Sequence, residues 1–390
     1  MINLAKLKTS AVITTVAITA IVMVCVLACL CACTQPSHEE KTGDVTISAT
    51  IKKDAKFDAP DLDVNAEDFE KAGFLFGDSC DVEFSNGLKL NDIPYFNGYY
   101  VKTGSPVIVA YPKNDYIIIA YNNRNMWSTE GLNDGDTVKI TRKEQGKFKT
   151  TQDALSQTYS VDRNDYKTDE QFSNFRTLKG GNLKENFLFR GASPYDNSRG
   201  RASITNTLVE SAQVKTIIDL ADTEDELKTY FADNSFNSSY AKNLYDEGKV
   251  AALGMSSNQD SDEFKASLAK GVRLLINNGG PAYIHCMEGK DRTGFVCMLI
   301  EALAGASYDE MRDDYMQTYA NYYGITKDSD SEKYNAICSL YFDTFCEYLS
   351  GVSGADSLKT FSYDNSAETY LKSCGLSDKE ISELKELITK

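Results

Sequence analysis

The feature that most constrains this chain is the segment at residues 285–294, HCMEGKDRTG, which lies between two apolar runs. Residues 281–286 predict a buried strand, and residues 293–304 are apolar nearly all round, which predicts a buried helix that ends at Gly305. A loop from a strand end to a helix start presents backbone N–H groups and the positive end of the helix dipole to one point. The segment therefore predicts an anion site.

Cys286 and Arg292 supply the chemistry of this site. Five residues separate them, so one tight loop can carry both. A helix N-terminus and a nearby cation favour the thiolate form of a cysteine, which is the reactive nucleophile. Arg292 adds a planar fork that can take two phosphoryl oxygens. Gly289 tolerates the positive φ that a tightly wrapped loop requires, and Thr293 brings a hydroxyl towards the sulfur. We expect a phosphate-gripping loop with a nucleophile at its base.

The remaining loop residues have supporting roles. His285 is interpreted as an orienting residue that holds the loop and favours the thiolate, rather than as a proton shuttle. The chain has only two histidines, which argues against a Ser-His-Asp site and a histidine-built metal site, so neither a metal nor a cofactor is predicted. The predicted phosphate-binding residues are Met287, Glu288, Gly289, Lys290, Asp291 and Arg292.

The segment HCMEGKDRTG resembles the signature of the cysteine-dependent protein tyrosine phosphatase superfamily. Its inner part, GKDRTG, is similar to the bacterial tyrosine and lipid phosphatase branch, which includes a secreted mycobacterial phosphatase. The resemblance covers residues 172–390 and implies an α/β phosphatase domain, a central mostly parallel sheet flanked by helices, that hydrolyses phosphomonoesters through a phosphocysteine. Other segments similar to the branch are residues 174–176 (NFR), 180–182 (GGN), 188–193 (LFRGAS), 217–220 (IIDL), 370–371 (YL), 375–377 (GLS) and 380–381 (EI).

The periodicity of residues 173–390 agrees with that fold. Apolar runs at 214–220 and 249–255 predict two more strands. Apolar residues at helical spacing predict a helix that begins after residue 262 and stops at the Asn-Asn-Gly-Gly of 277–280. Capping boxes, Ser307 with Glu310 and Ser377 with Glu380, predict two further helix starts, and another helix is expected over 331–349.

A different pattern precedes the catalytic part. Short strand-like runs punctuated by Asn-Gly and Asp-Gly turns predict a small all-β domain over residues 68–150, either a barrel or a sandwich, with no assigned role. Trp127 and the tyrosines of this region are interpreted as core, and a binding face is the alternative. Residues 151–172 are interpreted as a linker. The predicted strands are residues 81–84, 99–101, 106–111, 116–121 and 137–140.

The N-terminus predicts export. Residues 1–33 contain two lysines followed by an uncharged run over 11–32, and a small residue precedes Cys33, which resembles a bacterial lipoprotein cleavage site with Cys33 lipidated. Cys29 is a weaker lipidation candidate, and an uncleaved single-span anchor is the alternative. Residues 34–67 are interpreted as a tether. Either reading predicts an exported protein anchored to the bacterial cell membrane, with its catalytic domain outside the cytoplasm.

The general acid that protonates the leaving oxygen is left open. Many members of the superfamily carry an Asp on a Trp-Pro-Asp loop, and this chain has no such tripeptide. The resemblance favours Asp219, at a strand end. The alternatives are Asp262, Asp291 and Asp260.

The predicted substrate is a phosphotyrosine protein or peptide. A phosphoinositide is the alternative substrate. Phosphoinositide phosphatases of the superfamily often carry two lysines in the loop, whereas this loop has Lys290 but Met287 and Glu288 at the earlier positions, which favours phosphotyrosine. The net charge of −16 argues against a nucleic-acid partner. Two other functions are alternatives, a phospho-binding module without catalysis and a redox enzyme. The first would be expected to lack Cys286 or Arg292, and the second needs a resolving thiol, for which Cys297 on the buried helix is poorly placed.

Overall fold

The structure, a computed structural model, describes residues 45–54, 58–111, 115–122 and 124–390. The predicted leader, with Cys33 and Cys29, lies outside these ranges. Within them, no helix is both long enough and apolar enough to cross a membrane. Residues 46–390 form one compact unit, which contains a β-barrel and a helix-flanked sheet.

Seven of the described strands close into a barrel in the order β1-β2-β6-β5-β4-β3-β7. Neighbouring strands are antiparallel except β4 and β5, which run parallel. Their bounds are β1 (Thr46–Lys53), β2 (Pro60–Leu62), β3 (Ser79–Phe84), β4 (Lys89–Phe96), β5 (Pro106–Val109), β6 (Ile117–Tyr121) and β7 (Thr137–Glu144). Short helices between and after the strands are α1 (Ala66–Ala72), α2 (Trp127–Glu130) and α3 (Lys149–Leu155).

The barrel differs from the expected β domain in three respects, the first of which is β4, a strand that was not predicted. It begins at Thr46, so β1 and β2 occupy residues that were interpreted as tether. Residues 99–101 were expected to be a strand, but they lie in the connection between β4 and β5. Because these two strands are parallel, the chain must cross from one end of the barrel to the other. On this connection Tyr99 packs against Ile118 and Ala120 of β6.

The second sheet has five described strands in the order β11-β10-β12-β9-β8. Three neighbouring pairs are parallel, and β8 is antiparallel to β9. The sheet is therefore mixed, with a parallel centre. The strands predicted at 214–220, 249–255 and 281–286 are all present in shortened form. The bounds are β8 (Arg176–Thr177), β9 (Leu188–Gly191), β10 (Thr216–Asp219), β11 (Val250–Ala252) and β12 (Ala282–His285).

Helices cover both faces of this sheet. Alternate strand residues point to opposite faces: Ile217 and Tyr283 join one apolar cluster, while Ile218 and Ile284 join the other. The helices are α4 (Asp169–Phe172), α5 (Ala202–Ser211), α6 (Glu224–Ala232), α7 (Ser239–Asp246), α8 (Asp262–Asn278), α9 (Asp291–Leu303), α10 (Tyr308–Tyr323), α11 (Ser331–Ile337), α12 (Asp343–Ser350), α13 (Ala355–Thr360), α14 (Asp364–Ser373) and α15 (Asp378–Ile388).

The sequence signals for these helices agree with their observed ends. The capping boxes at Ser307 and Ser377 both form and begin α10 and α15. The helix expected over 331–349 is divided by a π-helical turn, Cys338–Phe342. In α9 every residue from Thr293 to Leu303 is buried, as the apolar run predicted. This burial on all sides fixes the helix whose first turn carries Arg292.

Candidate active site

The loop between β12 and α9 holds Cys286 and Arg292 in a fixed setting. Cys286 is 4% exposed and belongs to the apolar core beneath the loop. Arg292 donates from Nη1 to the carbonyl oxygen of Met255 at 2.9 Å. The N–H of Met255 in turn donates to the carbonyl of Leu220 at 2.9 Å, which follows β10. The guanidinium is therefore tied to the ends of two neighbouring strands, and part of its fork is already engaged.

Three successive carbonyls of the loop are bound by donors on its outer side. Met287 O accepts from the N–H of Ser193 at 3.1 Å. Glu288 O accepts from Tyr322 OH at 2.8 Å, and Gly289 O accepts from Arg190 Nη2 at 2.9 Å. In a trans peptide the C=O and the following N–H point in opposite directions. The N–H groups of residues 288, 289 and 290 therefore face the inner side of the loop, which forms the concave N–H cradle that binds anions.

Asn174 and Arg190 hold these carbonyls from within the core. Asn174 is fully buried in the left-handed region, with φ of 51°, and its Nδ2 lies 3.2 Å from Gly289 O and 3.3 Å from Glu288 O. Arg190 is 1% exposed and is ion-paired with Asp314, which also accepts from Arg176 Nε at 2.8 Å. A left-handed asparagine and a buried ion pair are both costly arrangements. Here each supports the phosphate loop.

Gly289 is required by space as well as by conformation. Its φ is +67°, and a Cβ at this position would lie 2.2 Å from the carbonyl oxygen of Gly191. Gly191 ends β9, the strand beside β12. The loop therefore folds directly onto the neighbouring strand end, and only a glycine allows this approach.

His285 is buried below the loop, between tyrosines. Its Nδ1 lies 3.3 Å from Cys286 O and 3.8 Å from Asp219 Oδ1, and its ring packs on those of Tyr283 and Tyr195. Burial lowers the pKa of His285 to about 4, so the imidazole is neutral near pH 7. The position agrees with an orienting role. A neutral ring has no positive charge to stabilise the thiolate of Cys286. The expectation that His285 favours the thiolate therefore finds no support in this environment.

Asp219 is placed beside His285 and is fully buried. Its Oδ1 accepts from the N–H groups of Ala221 at 2.9 Å and Asp222 at 3.1 Å. Burial raises the pKa of Asp219 to about 7. Burial, with the charge of Asp219 adding to it, also raises the pKa of Asp222 to about 7. Asp222, which the sequence analysis did not single out, is thus the second member of a buried carboxyl pair at the end of β10.

The other three candidate general acids, Asp291, Asp262 and Asp260, differ in their position relative to the loop. A cavity of about 690 Å³ lies beside the end of the loop. Lys290, Asp291 and Arg292 are the loop residues that line it, whereas Cys286 is not among its described lining residues. Asp262 is exposed at the first position of α8. The carboxylate of Asp260 accepts from Tyr348 OH at 3.0 Å and from Lys265 Nζ at 3.3 Å, and both contacts lower its pKa. Of the four candidates, Asp291 is the one among the described lining residues of this cavity.

The hydroxyl of Thr293, the thiols and the possible metal ligands complete the description of the site. Thr293 Oγ1 is buried and has no hydrogen-bond partner among the described residues. Cys286 and Cys297 are both free thiols, and burial raises the pKa of Cys297 to about 12. The described residues contain no group of three or more His, Cys, Asp or Glu side chains arranged to hold a metal ion.

The segment interpreted as a linker, residues 151–172, packs against the site. Tyr159 donates from its hydroxyl to the carboxylate of Glu288. The guanidinium of Arg201, 1% exposed, lies 4.9 Å from the Tyr159 ring, 4.8 Å from Phe172 and 4.7 Å from Tyr322. Glu288, which was expected to bind phosphate, is turned towards this aromatic cluster. The segment is therefore part of the structure that positions the loop.

Sequence reasoning about roles missed Asn174, Arg190 and Tyr159. The first two lie in segments that resemble the phosphatase branch, which was the available signal, but nothing local in the sequence indicates that they bind the loop. Each contact joins distant parts of the chain, since Asn174 precedes Gly289 by 115 residues and Arg190 precedes it by 99. Tyr159 lies in a polar stretch without a helical or strand pattern.

Comparison with known proteins agrees with this geometry. A tyrosine-protein phosphatase of Nostoc commune is 31% identical over 145 residues, which is 36% of this chain and 47% of that protein, so the chain matches about half of the relative's length. A crystal structure of an uncharacterized conserved protein from Thermotoga maritima aligns over 24% of this chain and 35% of that chain, with 18% identity and a TM-score of 0.21. The model of the tyrosine phosphatase family matches residues 170–390, more than half of the 390 residues. The chain therefore belongs to the tyrosine phosphatase family.

Proposed function

We propose that this protein is a protein-tyrosine phosphatase that hydrolyses phosphomonoesters through a phosphocysteine intermediate. One observation carries the proposal: Cys286 lies at the base of a loop whose carbonyls are bound outward, with Arg292 fixed at its end. This arrangement suits a phosphoryl group, because three inward N–H groups and a guanidinium meet its non-bridging oxygens. The name of the Nostoc commune relative supports phosphotyrosine as the substrate.

In the first step the sulfur of Cys286 attacks phosphorus in line with the ester oxygen. The S–P bond forms as the P–O bond to the tyrosine breaks. Arg292 and the loop N–H groups hold the three equatorial oxygens, where negative charge accumulates. The leaving oxygen takes a proton from a general acid, and tyrosine departs neutral.

We infer that Asp291 is this acid. It lines the cavity beside Arg292, whereas Asp219 is fully buried and its carboxylate is held by backbone N–H groups. A general acid must lie within hydrogen-bond reach of the leaving oxygen. In the second step the ionised acid takes a proton from water, the water oxygen attacks phosphorus, and the S–P bond breaks to release phosphate and regenerate the thiolate. Thr293 is suited to donate a hydrogen bond to the departing sulfur, because its buried hydroxyl is unpaired among the described residues.

The charges around the loop support a singly phosphorylated substrate. Glu288 and Asp291 place two carboxylates within 3.9 Å and 3.7 Å of Lys290 Nζ. These carboxylates offset the positive charge of Lys290. An inositol ring with several phosphates would need that positive charge. A phosphotyrosine carries one phosphate on an aromatic ring, and Phe295, Tyr341 and Phe345 line the same cavity.

The test is phosphate release by the purified full chain. Phosphotyrosine peptides and phosphoinositides are compared as substrates, with Cys286→Ser as the inactive variant. We expect turnover of the peptides and its loss in Cys286→Ser, because a serine hydroxyl is a poor nucleophile at this site. Preference for phosphoinositides would keep the mechanism and overturn the substrate. A folded protein that hydrolyses neither would support the phospho-binding module instead.

We further propose that the protein is exported and tethered to the bacterial membrane through a lipid on Cys33. The support is the uncharged run at residues 11–32 followed by a small residue and the cysteine. Metabolic labelling with a fatty acid should label the protein in membranes, and Cys33→Ser should abolish the label, with Cys29→Ser as the matched control. If the wild-type protein is found in membranes without the fatty-acid label, the N-terminal run is an uncleaved membrane span instead.

A further inference from the structure

The cavity beside the end of the phosphate loop, which Lys290, Asp291 and Arg292 line, has two walls from different parts of the chain. One wall is the loop with its adjoining helices, and the other is the barrel. The volume of about 690 Å³ lies within the range of small-ligand and side-chain pockets, roughly 300–1,000 Å³. The barrel contributes Tyr99, Tyr111, Tyr121, Asn122, Arg124 and Asn125. The family match begins at residue 170, so this second wall lies outside the part shared with the family.

Direct contacts fix the barrel against the catalytic part. Lys102 Nζ lies 3.0 Å from Glu347 Oε2 on α12. Asn97, in the connection between β4 and β5, donates from Nδ2 to Ser156 Oγ at 2.6 Å and from its N–H to Gln152 Oε1 of α3 at 3.3 Å. Leu155 of α3 in turn packs against the apolar core of the catalytic part. The barrel wall is therefore a defined surface facing the site. An additional substrate group could contact it while the phosphate is bound.

Arg124 is the cation that the barrel places on this wall, among the described lining residues; the other two lining cations, Lys290 and Arg292, belong to the loop. Its side chain is 56% exposed, and its Nη1 lies 3.9 Å from Asp260 Oδ2. An exposed ion pair at this distance contributes little to stability. Asp260 also has Tyr348 and Lys265 as partners, so it keeps two contacts if Arg124 turns to another anion.

The separation of Arg124 from the phosphate is bounded by the chain itself. The loop that begins at Met255, which holds Arg292, ends at Asp260, which faces Arg124. Five residue steps span at most about 18 Å when fully extended. The turn in which Ser261 N–H donates to Asn258 O at 3.1 Å shortens this reach. An extended peptide advances about 3.3 Å per residue, so about five to six positions cover this span. The contacts of Arg292 with Met255 and of Arg124 with Asp260 add to it at the two ends.

We propose that the barrel is a substrate-reading element and that Arg124 is a specificity-determining residue, which binds an anionic group a few residues from the phosphotyrosine. This rests on the proposed phosphatase activity and names the class of substrate for the same site. The anionic group is either the carboxylate of an acidic residue or a second phosphate, since a guanidinium fork accepts both. The tyrosines of the barrel wall flank the intervening peptide.

The experiment compares kcat/KM for three peptides with the full chain. The peptides carry one phosphotyrosine and differ only within six positions on either side, with neutral residues, with glutamates, or with one phosphoserine. The variant is Arg124→Gln. The matched control is Lys102→Gln, which removes another ion pair between the barrel and the catalytic part but lies outside the described lining of the cavity.

We expect the wild-type protein to prefer an anionic peptide over the neutral one, and Arg124→Gln to lower that preference about tenfold, through KM rather than kcat. The arm that shows the loss, glutamate or phosphoserine, identifies the source of the anion. Lys102→Gln should keep the wild-type preference. The proposal is overturned if the wild type hydrolyses all three peptides equally, or if both variants lose the preference to the same extent. Absence of turnover with every peptide would instead reject the phosphatase activity, and the inference with it.

Discussion

Arg190 donates from Nη2 to the carbonyl oxygen of Gly289 at 2.9 Å, and through this bond a buried ion pair on β9 supports the phosphate loop. Its Nη1 is engaged with Asp314 on α10. One buried guanidinium thus connects α10 with the loop that opens α9. The position of the loop N–H groups depends on this support, since a carbonyl held outward turns the next N–H inward.

Replacing Asn174 by glycine should reduce catalysis and also lower stability. Glycine accepts the φ of 51° without backbone strain, but the change removes the bonds to Glu288 O and Gly289 O. It also removes the bonds that the Asn174 side chain forms with Thr318, Arg176 and Asn321. We expect kcat to fall about tenfold, which corresponds to roughly 1.4 kcal/mol of transition-state stabilisation. The control is Asn186→Gly, an exposed asparagine with φ of 53° away from the loop. Equal kcat values for the two variants would contradict the supporting role of Asn174.

Gly289→Ala should abolish most activity. The added Cβ would lie 2.2 Å from Gly191 O, so the loop or the end of β9 must move. We expect kcat/KM to fall at least about 100-fold, because displaced N–H groups no longer meet the transition state. Gly279→Ala is the control: its φ is +71°, but its Cβ meets nothing within 4 Å, so it reports backbone strain alone. A similar loss of activity in both variants would show that conformation, not the contact with Gly191, is what matters.

The parts of this fold that sequence could predict are those with local signals. The loop's strand and helix follow from apolar runs, and the capping boxes at Ser307 and Ser377 mark helix starts because N-cap and N3 residues lie within one turn. The pair Cys286 and Arg292 is recognisable for the same reason, since both lie on one loop. Contacts between residues that lie within about ten positions of each other can be predicted from the local sequence.

The parts that could not be predicted depend on distant contacts. Strand β4 contains Asp92 and Pro94, which disguise a strand, and it forms because β3 and β5 pair with it on either side. Arg124 has no local pattern that marks it as a cavity residue. It faces the site only because the barrel packs against the helices after the loop. Such placement requires the folded chain.

The identity of the general acid predicts how activity depends on the leaving group. Tyrosine, with a pKa of about 10, needs a proton as it leaves, whereas nitrophenolate leaves without one. We expect Asp291→Asn to lower kcat for phosphotyrosine peptides about 100-fold but to affect nitrophenyl phosphate less than about tenfold. Asp219→Asn, Asp260→Asn and Asp262→Asn should affect the two substrates alike. If only Asp219→Asn lowers kcat more for phosphotyrosine peptides than for nitrophenyl phosphate, Asp219 is the general acid, as the family resemblance favours.

Asp219 should make stability depend on pH in a defined direction. Burial raises its pKa in the folded state to about 7 from a usual value of 3.8, so the folded protein holds a proton that the unfolded chain releases. This contribution to stability is present below about pH 4 and is lost as pH rises through about 7. Over that window we expect Asp219→Asn to gain up to about 1.4 kcal/mol per pH unit relative to the wild type.

Urea unfolding of both proteins at several pH values between 4 and 8 measures this difference. The low pKa of His285, about 4, acts in the opposite direction, but His285 is present in both proteins and largely cancels in the comparison. Asp225→Asn is the control for removal of a carboxylate that is not buried, because the Asp225 side chain is 93% exposed on α6. A constant gap between Asp219→Asn and the wild type would mean that Asp219 is ionised throughout. Asp219 would then be a negatively charged carboxylate beside His285 at every pH tested, rather than a carboxyl group that is protonated in the folded protein.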